Sequence, residues 1–356
     1  MTRVATLATQ EAFIRQMNQL QGRVNNAQEQ LSTELKSQNY AGISTDAYRL
    51  INLQTQRERL DRYNTDNQVA EIRLKTQGNV MDSIGQTLRD FKKKLATAST
   101  DVDTTNGVSP EEQTRLTDLQ DSAFNGMKTL ETLLNTQVDG QYLFAGGRIN
   151  TRPVALTDTS GNQLNSLAQF QAVYDGVAQT YPTTRATSMD PAQASAWHKP
   201  YYRGDQLQIE HRVDEDRTIT LGINATDGAF EKAFRGLGIL AQGDLSNPAN
   251  ASRLQEALDL VSDALEHDSD PNGPTASENA SDLEKLVNRI GNNRVVLSDQ
   301  KSRNDDAIAY LDTQIITYQN VDKVEVVTRL NSDLQNLQMS FAALSKVLKT
   351  SLADYI

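Results

Sequence analysis

The sequence predicts a mainly α protein with a β-rich insert: N- and C-terminal segments build a long coiled-coil-like helical rod, and a small β domain is inserted mid-chain. Three observations predict it. Apolar residues toward both ends recur at alternating steps of three and four, the spacing that keeps one seam on one face of a supercoiled helix. From about Gln141 to Thr226 that period disappears, and four of the eight prolines and the only tryptophan, Trp197, fall there. Apolar residues make up 37% of the chain and glycine adds 19 of 356 positions. The total falls short of the roughly 45–50% of an ordinary globular domain, as expected of a thin molecule that buries little of its surface.

Taken in order, the first seam is Phe13, Met17, Leu20, Val24, Ala27 and Leu31, on an N-terminal helix within residues 1–44. After a break at Asn39, Tyr40 and Gly42, the residues Leu53, Leu60, Leu74, Met81, Leu88 and Leu95 repeat every seven positions, with Asn67 in the skipped slot. They predict a helix from about Asp46 to Ala98, roughly 75–80 Å long, inside a segment 45–140 that forms the N-terminal half of the rod. Ser109-Pro110-Glu111-Glu112 supplies a cap, a first-turn proline and an acidic third position for the next helix. Leu116, Leu119, Ala123, Met127, Leu130 and Leu134 give its apolar face, and Asp139-Gly140 is expected to end it.

The segment 141–226 then reads as a separate β-rich domain. Leu207, Ile209, His211 and Val213 alternate with polar residues, Asp214 to Asp216 make a turn, and Ile219, Leu221 and Ile223 alternate again, a β-hairpin pattern. Residues 227–318 return to helix as the C-terminal half of the rod. Phe230, Ala233, Phe234 and Leu237 mark one helix and Leu254, Leu258, Val261 and Leu265 another; a polar loop from His267 to Ala276 follows. Leu283, Leu286, Ile290, Leu297, Ile308, Leu311 and Ile315 form the next seam. A bend near Asn320-Val321-Asp322 introduces the C-terminal helix, 319–356, with Val327, Leu330, Leu334, Leu337, Phe341, Leu344 and Leu348 in steps of three and four and Leu352 beyond. Because both chain ends carry seams, the economical arrangement sets the terminal helices side by side.

Composition excludes several functions. With 35 basic and 46 acidic residues the net charge is −11, and the densest basic run is Lys92 to Lys94, so nucleic acid and an anionic membrane surface are not expected partners. No run approaches the roughly 18 apolar residues of a membrane span, and the start lacks the continuous apolar stretch of a cleavable signal. There is no cysteine, and His198, His211 and His267 each stand alone, whereas a metal or catalytic centre needs converging groups. Asp268, Asp270, Asn272 and Gly273 match the opening of a calcium loop, D-x-[DN]-x-[DN]-G. The twelfth position, however, is Asn279 rather than glutamate, and Pro271 and Pro274 stiffen the segment; it reads as a polar inter-helix loop. Gly146-Gly147 reads as turn glycines, Arg203-Gly204-Asp205 as a turn leading into a strand, and Asp214 with Asp216 as a solvated turn tip. No cofactor, metal or enzymatic activity is expected.

The seams remain. They are covered either within the molecule, as an intramolecular coiled coil, or by neighbouring molecules. The second reading makes Phe13, Met17, Leu20, Val24 and Leu31, with Val327, Leu330, Leu334, Leu337, Phe341, Leu344, Leu348 and Leu352, the subunit interface.

Certain stretches also carry a resemblance. Leu31-Ser32-Thr33 before a polar break, with Asp46-Ala47 opening a long helix, resembles the N-terminal region of the flagellin superfamily. Asn135-Thr136 and Gly140-Gln141-Tyr142-Leu143-Phe144-Ala145-Gly146-Gly147 resemble a segment of its hook-associated protein 3 branch. So does the C-terminus: Val321-Asp322, Thr328-Arg329-Leu330, Leu337-Gln338, Ser340-Phe341 and Ser351-Leu352-Ala353-Asp354-Tyr355-Ile356. The matches cover residues 1–147 and 285–356. Glu34 stands where the family often has glycine, and Asn39 to Ser44 replaces the usual short basic linker.

The resemblance implies a structural protein of the bacterial flagellum, exported unfolded through the flagellar type III channel with an export chaperone. Outside the cell it implies a homo-oligomeric ring between hook and filament, next to hook-associated protein 1 and flagellin. Flagellin itself is the alternative in the same class; a coiled-coil scaffold and an enzyme carried on the insert are the readings from other classes. In the assembly reading the isolated terminal helices lack order, and Leu337→Asp with Leu344→Asp leaves a folded rod that no longer assembles.

Overall fold

The computed structural model describes residues 2–101, 108–158, 160–174, 201–247, 250, 252–276 and 278–353. Pro182, Pro191, Trp197, His198 and Pro200 of the proline-rich stretch lie outside them. The chain divides into two compact units, Met1–Arg62 with Arg303–Ile356, and Tyr63–Ser302. The division falls inside two long helices, α2 (Ala47–Asp101) and α7 (Leu283–Gln319), rather than at the breaks near residues 44 and 319.

In the first unit α1 (Thr2–Thr33) pairs with α8 (Lys323–Ala353). The pair is antiparallel, because its rungs run in opposite directions along the two helices. Arg23 pairs with Asp333, Arg329 Nη2 donates to Gln30 Oε1 at 2.7 Å, and Lys323 Nζ donates to Glu34 Oε1 at 2.7 Å. Along the same pair, Leu20, Val24 and Ala27 of α1 and Val326 and Leu337 of α8 are buried. The terminal helices therefore cover part of each other's seams within one molecule.

Both terminal helices stop at the same level. Glu34 ends α1 with φ +62°, the left-handed conformation that favours glycine. Asp322 starts α8 by accepting the amides of Val324 at 2.9 Å and Glu325 at 3.3 Å. The connection back to α2 holds a 3-10 turn, Tyr40–Ile43, capped by Asn39, whose Oδ1 accepts the Gly42 amide at 3.1 Å. Beyond it α2 and α7 lie antiparallel in this unit. Arg57 Nε donates to Asp312 Oδ1 at 3.0 Å, and Arg49 Nη1 donates to the Tyr318 hydroxyl at 2.7 Å.

The second unit has one core. α3 (Pro110–Leu134) begins at the anticipated capping box: Ser109 Oγ accepts the Glu112 amide at 3.3 Å, and Glu112 Oε2 accepts the Ser109 amide at 2.7 Å. Its face, Leu116, Leu119, Ala123, Met127, Leu130 and Leu134, is buried throughout. The helix ends at Leu134, not at Asp139-Gly140. With φ of +52° and +75°, that pair forms the two-residue turn of a hairpin joining β1 (Gln137–Val138) to β2 (Gln141–Tyr142). Asp-Gly is a strong signal for such a turn because both positions need positive φ.

Among the described residues of 141–226, the apolar side chains share the helical core instead of forming one of their own. Leu143, Phe144, Val154, Leu156, Tyr201, Val213 and Ile223, with Phe170 on α4 (Leu167–Tyr174), join α3 and α5 (Gly228–Ala241) in one buried cluster. Phe144 meets Phe230 at 6.3 Å and Tyr201 meets Phe234 at 4.3 Å between ring centres. All of α5 is buried, so it is the central helix of this unit, and α6 (Ser252–Leu265) packs on it. The anticipated hairpin is present as β3 (Glu210–Asp214) and β4 (Arg217–Thr220), with His211 opposite Ile219 and a bulge at Val213.

Burial separates two positions on α8. Leu337 is 8% exposed and Phe341 52%. Leu337→Ala should lower the stability of the isolated chain by about 2–3 kcal/mol through the cavity left against α1, whereas Phe341→Ala should cost under about 1 kcal/mol. Guanidinium unfolding followed by far-UV circular dichroism measures both.

Candidate assembly surface

The C-terminal seam divides into two columns. Residues seven apart drift by only about 20° around a helix, so Leu330, Leu337 and Leu344 make one column and Val327, Leu334 and Phe341 the other. The first turns toward α1: Leu337 is buried and Leu330 and Leu344 are half-buried. The second turns away, with Leu334 half-buried, Val327 43% exposed and Phe341 52% exposed. On α1, Leu20 and Val24 are buried and Phe13, Met17 and Leu31 half-buried, so that seam is largely spent on α8. The side chains of Leu348 and Leu352 lie outside the described residues.

At 100° per residue, Ile14, 45% exposed, falls on the same flank of the antiparallel pair as Val327, Leu334 and Phe341. The opposite flank is polar: Arg23, Glu325, Thr328, Arg329, Ser332 and Asp333 line a cleft of 440 Å³. The apolar part of the first flank is the α8 column with Ile14, because Gln21, Asn25 and Gln28 on the same side of α1 are exposed polar residues. The first unit holds about a third of the chain, yet ten of the fourteen exposed large apolar side chains among the described residues belong to it. A flank of this kind can pack a further helix.

Residues that carry the family resemblance in the second unit hold the fold instead. Asn135 clasps Val154 twice, its Nδ2 donating to the carbonyl at 2.8 Å and its Oδ1 accepting the amide at 3.0 Å. Gly146 has φ +68°, and a Cβ there would overlap the Asp205 carboxylate. Asp205 Oδ1 accepts the amides of Gly147 at 2.6 Å and Leu207 at 3.1 Å. The acid of Arg203-Gly204-Asp205 is therefore spent inside a turn, as the turn reading expects. Burial, with Asp205 nearby, pushes the Tyr202 phenol well above its ordinary range.

The histidines hold no common centre. His211 Nε2 lies 2.8 Å from Asn67 Oδ1, while Asn67 Nδ2 donates to the Val213 carbonyl at 3.0 Å. The amide oxygen accepts, so His211 carries its proton on Nε2. Burial lowers its pKa, with Asp66 opposing. Asn67, the polar residue in the heptad slot, thereby anchors the β3–β4 hairpin to α2.

In the calcium-like loop, Asp268 and Asp270 turn their carboxylates to the chain's own backbone: Asp268 Oδ1 accepts the Asp270 amide and Asp270 Oδ1 the Asn272 amide, both at 3.0 Å. Among the described residues no group of three or more histidines and acids is arranged to hold a metal.

What the sequence reading missed is how that loop is fastened. Lys232 of α5 is fully buried and donates to Asp263 Oδ2 at 2.6 Å and to the Asn279 carbonyl at 2.9 Å. Asp263 Oδ1 also accepts Thr275 Oγ1 at 2.9 Å and the Asp268 amide at 3.0 Å, and lies 2.9 Å from His267 Nδ1. Beside it, buried Arg235 bridges Glu231 and Glu278. The one available signal was Glu231, Lys232 and Arg235 among the apolar positions of α5, and buried ions require partners.

Burial would raise the Asp263 pKa, but the hydrogen bonds from Lys232, the Asp268 amide and His267 outweigh it, so the carboxyl titrates below its ordinary value. A depressed carboxylate stabilises the fold above the unfolded pKa of about 3.9, and that contribution is lost as pH falls below it. Asp263→Ala, which strands the Lys232 ammonium, should cost about 3–5 kcal/mol at neutral pH. It should also flatten the fall in urea stability that the unaltered chain is expected to undergo below about pH 4.

No helix among the described residues is long and apolar enough to cross a membrane. No family model matches the chain, and no curated protein matches it. Among solved structures it is similar to a Vibrio parahaemolyticus protein described as a flagellar hook-associated protein, at 12% identity, over 78% of this chain and 99% of that one, with a TM-score of 0.49. It is also similar to Bacillus cereus FlgL, at 10% identity, over 78% of this chain and 100% of that one, with a TM-score of 0.41. Both scores fall below 0.5 and both identities are low, so neither likeness decides a role.

Proposed function

We propose that this chain is a structural subunit of the bacterial flagellum and forms the junction layer between hook and filament. In this reading the chain leaves the cell through the flagellar type III channel with an export chaperone. It then assembles as a homo-oligomeric ring with hook-associated protein 1 on one side and flagellin on the other. The order and terminal placement of the family-like residues support the reading. The observation that carries it is the outward column Val327, Leu334 and Phe341 on a helix whose inner column is already covered within the chain. Such a molecule covers its inner column within the chain and still presents an apolar column on α8. Each large apolar side chain buried there stabilises a contact by roughly 1.5–3 kcal/mol.

The division of the seam also selects the variant. Leu337 faces α1, so Leu337→Asp with Leu344→Asp would damage the helix pair as well as any contact between subunits. Val327→Asp with Phe341→Asp leaves the inner column intact. We expect that variant to keep the helicity and unfolding midpoint of the unaltered chain, and to fail to restore filament attachment and motility in a bacterium lacking its own copy. Normal filaments would contradict the proposal. Unlimited polymerisation of the purified unaltered chain on its own would point to a filament subunit.

A further inference from the structure

The connections α1–α2 and α7–α8 are fastened to each other within the first unit. The Lys36 amide donates to the Gln319 carbonyl at 2.8 Å and the Val321 amide to the Glu34 carbonyl at 3.1 Å, on either side of an antiparallel bridge between Leu35 and Asn320. Lys36 Nζ donates to the Thr317 carbonyl at 3.1 Å, and Gln30 Nε2 to the Lys36 carbonyl at 2.9 Å. The two connections differ in slack. Three residues, Asn320 to Asp322, separate α7 from α8, whereas thirteen, Glu34 to Asp46, separate α1 from α2. The short break sets the pivot and the long one is drawn to it.

Glu34 is the residue out of keeping with this clasp. Its φ of +62° is unfavourable for any side chain with a Cβ, and what offsets it is the Val321 amide on its carbonyl at 3.1 Å together with an ion pair to Lys323 whose side chains are 55% and 61% exposed. Such a pair contributes little in water. Closing the clasp thus holds Glu34 in a conformation that opening would release.

We propose that residues 34–36 and 319–321 form a releasable joint, loaded toward opening by the backbone strain at Glu34, which lets the α1–α8 pair swing relative to the adjoining ends of α2 and α7. The inference is independent of the assembly reading.

Amide hydrogen exchange of the full chain tests it, because the protection of the Lys36 and Val321 amides reports the opening equilibrium. Glu34→Gly should slow exchange at both amides about fivefold by removing the strain. Glu34→Val, whose branched side chain is least compatible with positive φ, should speed it about tenfold. Lys323→Ala, which removes only the exposed ion pair, should change it less than about threefold. Amides in the buried stretch of α2 around Leu74 serve as the control for intact folding. Exchange in Glu34→Gly equal to or faster than in the unaltered chain, with the control unchanged, would overturn the proposal. So would a Lys323→Ala effect as large as that of Glu34→Val, since the ion pair would then hold the joint.

Discussion

A helix with one apolar stripe has to be covered, and in this chain the cover for each terminal stripe comes from the other end of the sequence. Leu20, Val24 and Ala27 are buried with Val326 and Leu337, joining residues some three hundred positions apart. Loop closure over that distance is costly in entropy, and the long helices α2 and α7 reduce the cost by bringing the chain back to its start. The rungs Arg23–Asp333, Gln30–Arg329 and Glu34–Lys323 then set the register of the terminal pair. Glu34–Lys323 is more than half exposed on both partners, so it specifies alignment more than it adds stability.

The arrangement also leaves something over. A two-helix pair can cover one column of a seam written in steps of three and four, and the other column faces out. Leu337 inside and Phe341 outside, four residues apart on one helix, express that limit. The same covering logic operates differently in the second unit. There α5 is surrounded on every side, and its three charged residues, Glu231, Lys232 and Arg235, survive burial only because Arg235 pairs with Glu231 and Glu278 and Lys232 pairs with Asp263. The calcium-like loop is held in place by that network and has its carboxylates engaged in its own turns.

Much of the fold was legible in the sequence. Heptad spacing from Leu53 to Leu95, the cap at Ser109, the bend at Asn320 to Asp322 and the alternation about Asp214 to Asp216 are local signals, and each appears where local physics puts it. Less was legible where the outcome depends on neighbours. Asp139-Gly140 is a chain reversal of either kind until Gln137–Val138 and Gln141–Tyr142 are seen to pair. Irregular residues from 141 to 226 looked like a domain because their period was lost, but Phe144 and Tyr201 find their partners on α5. The candidate surface was legible as a seam and illegible as two columns, since nothing in the spacing says which column the partner helix will take. Glu34 was visible as a departure from glycine, and its positive φ gives that departure a physical meaning.

The central claim is that the two ends of the chain depend on each other within one molecule. Amide hydrogen exchange along α1 should be compared between the full chain and a chain ending at Asp322, with α3 as the internal standard. Mutual covering predicts that the amides around Leu20 and Val24 lose most of their protection when α8 is removed while those of α3 keep theirs. Unchanged protection of α1 in the shortened chain would contradict the account.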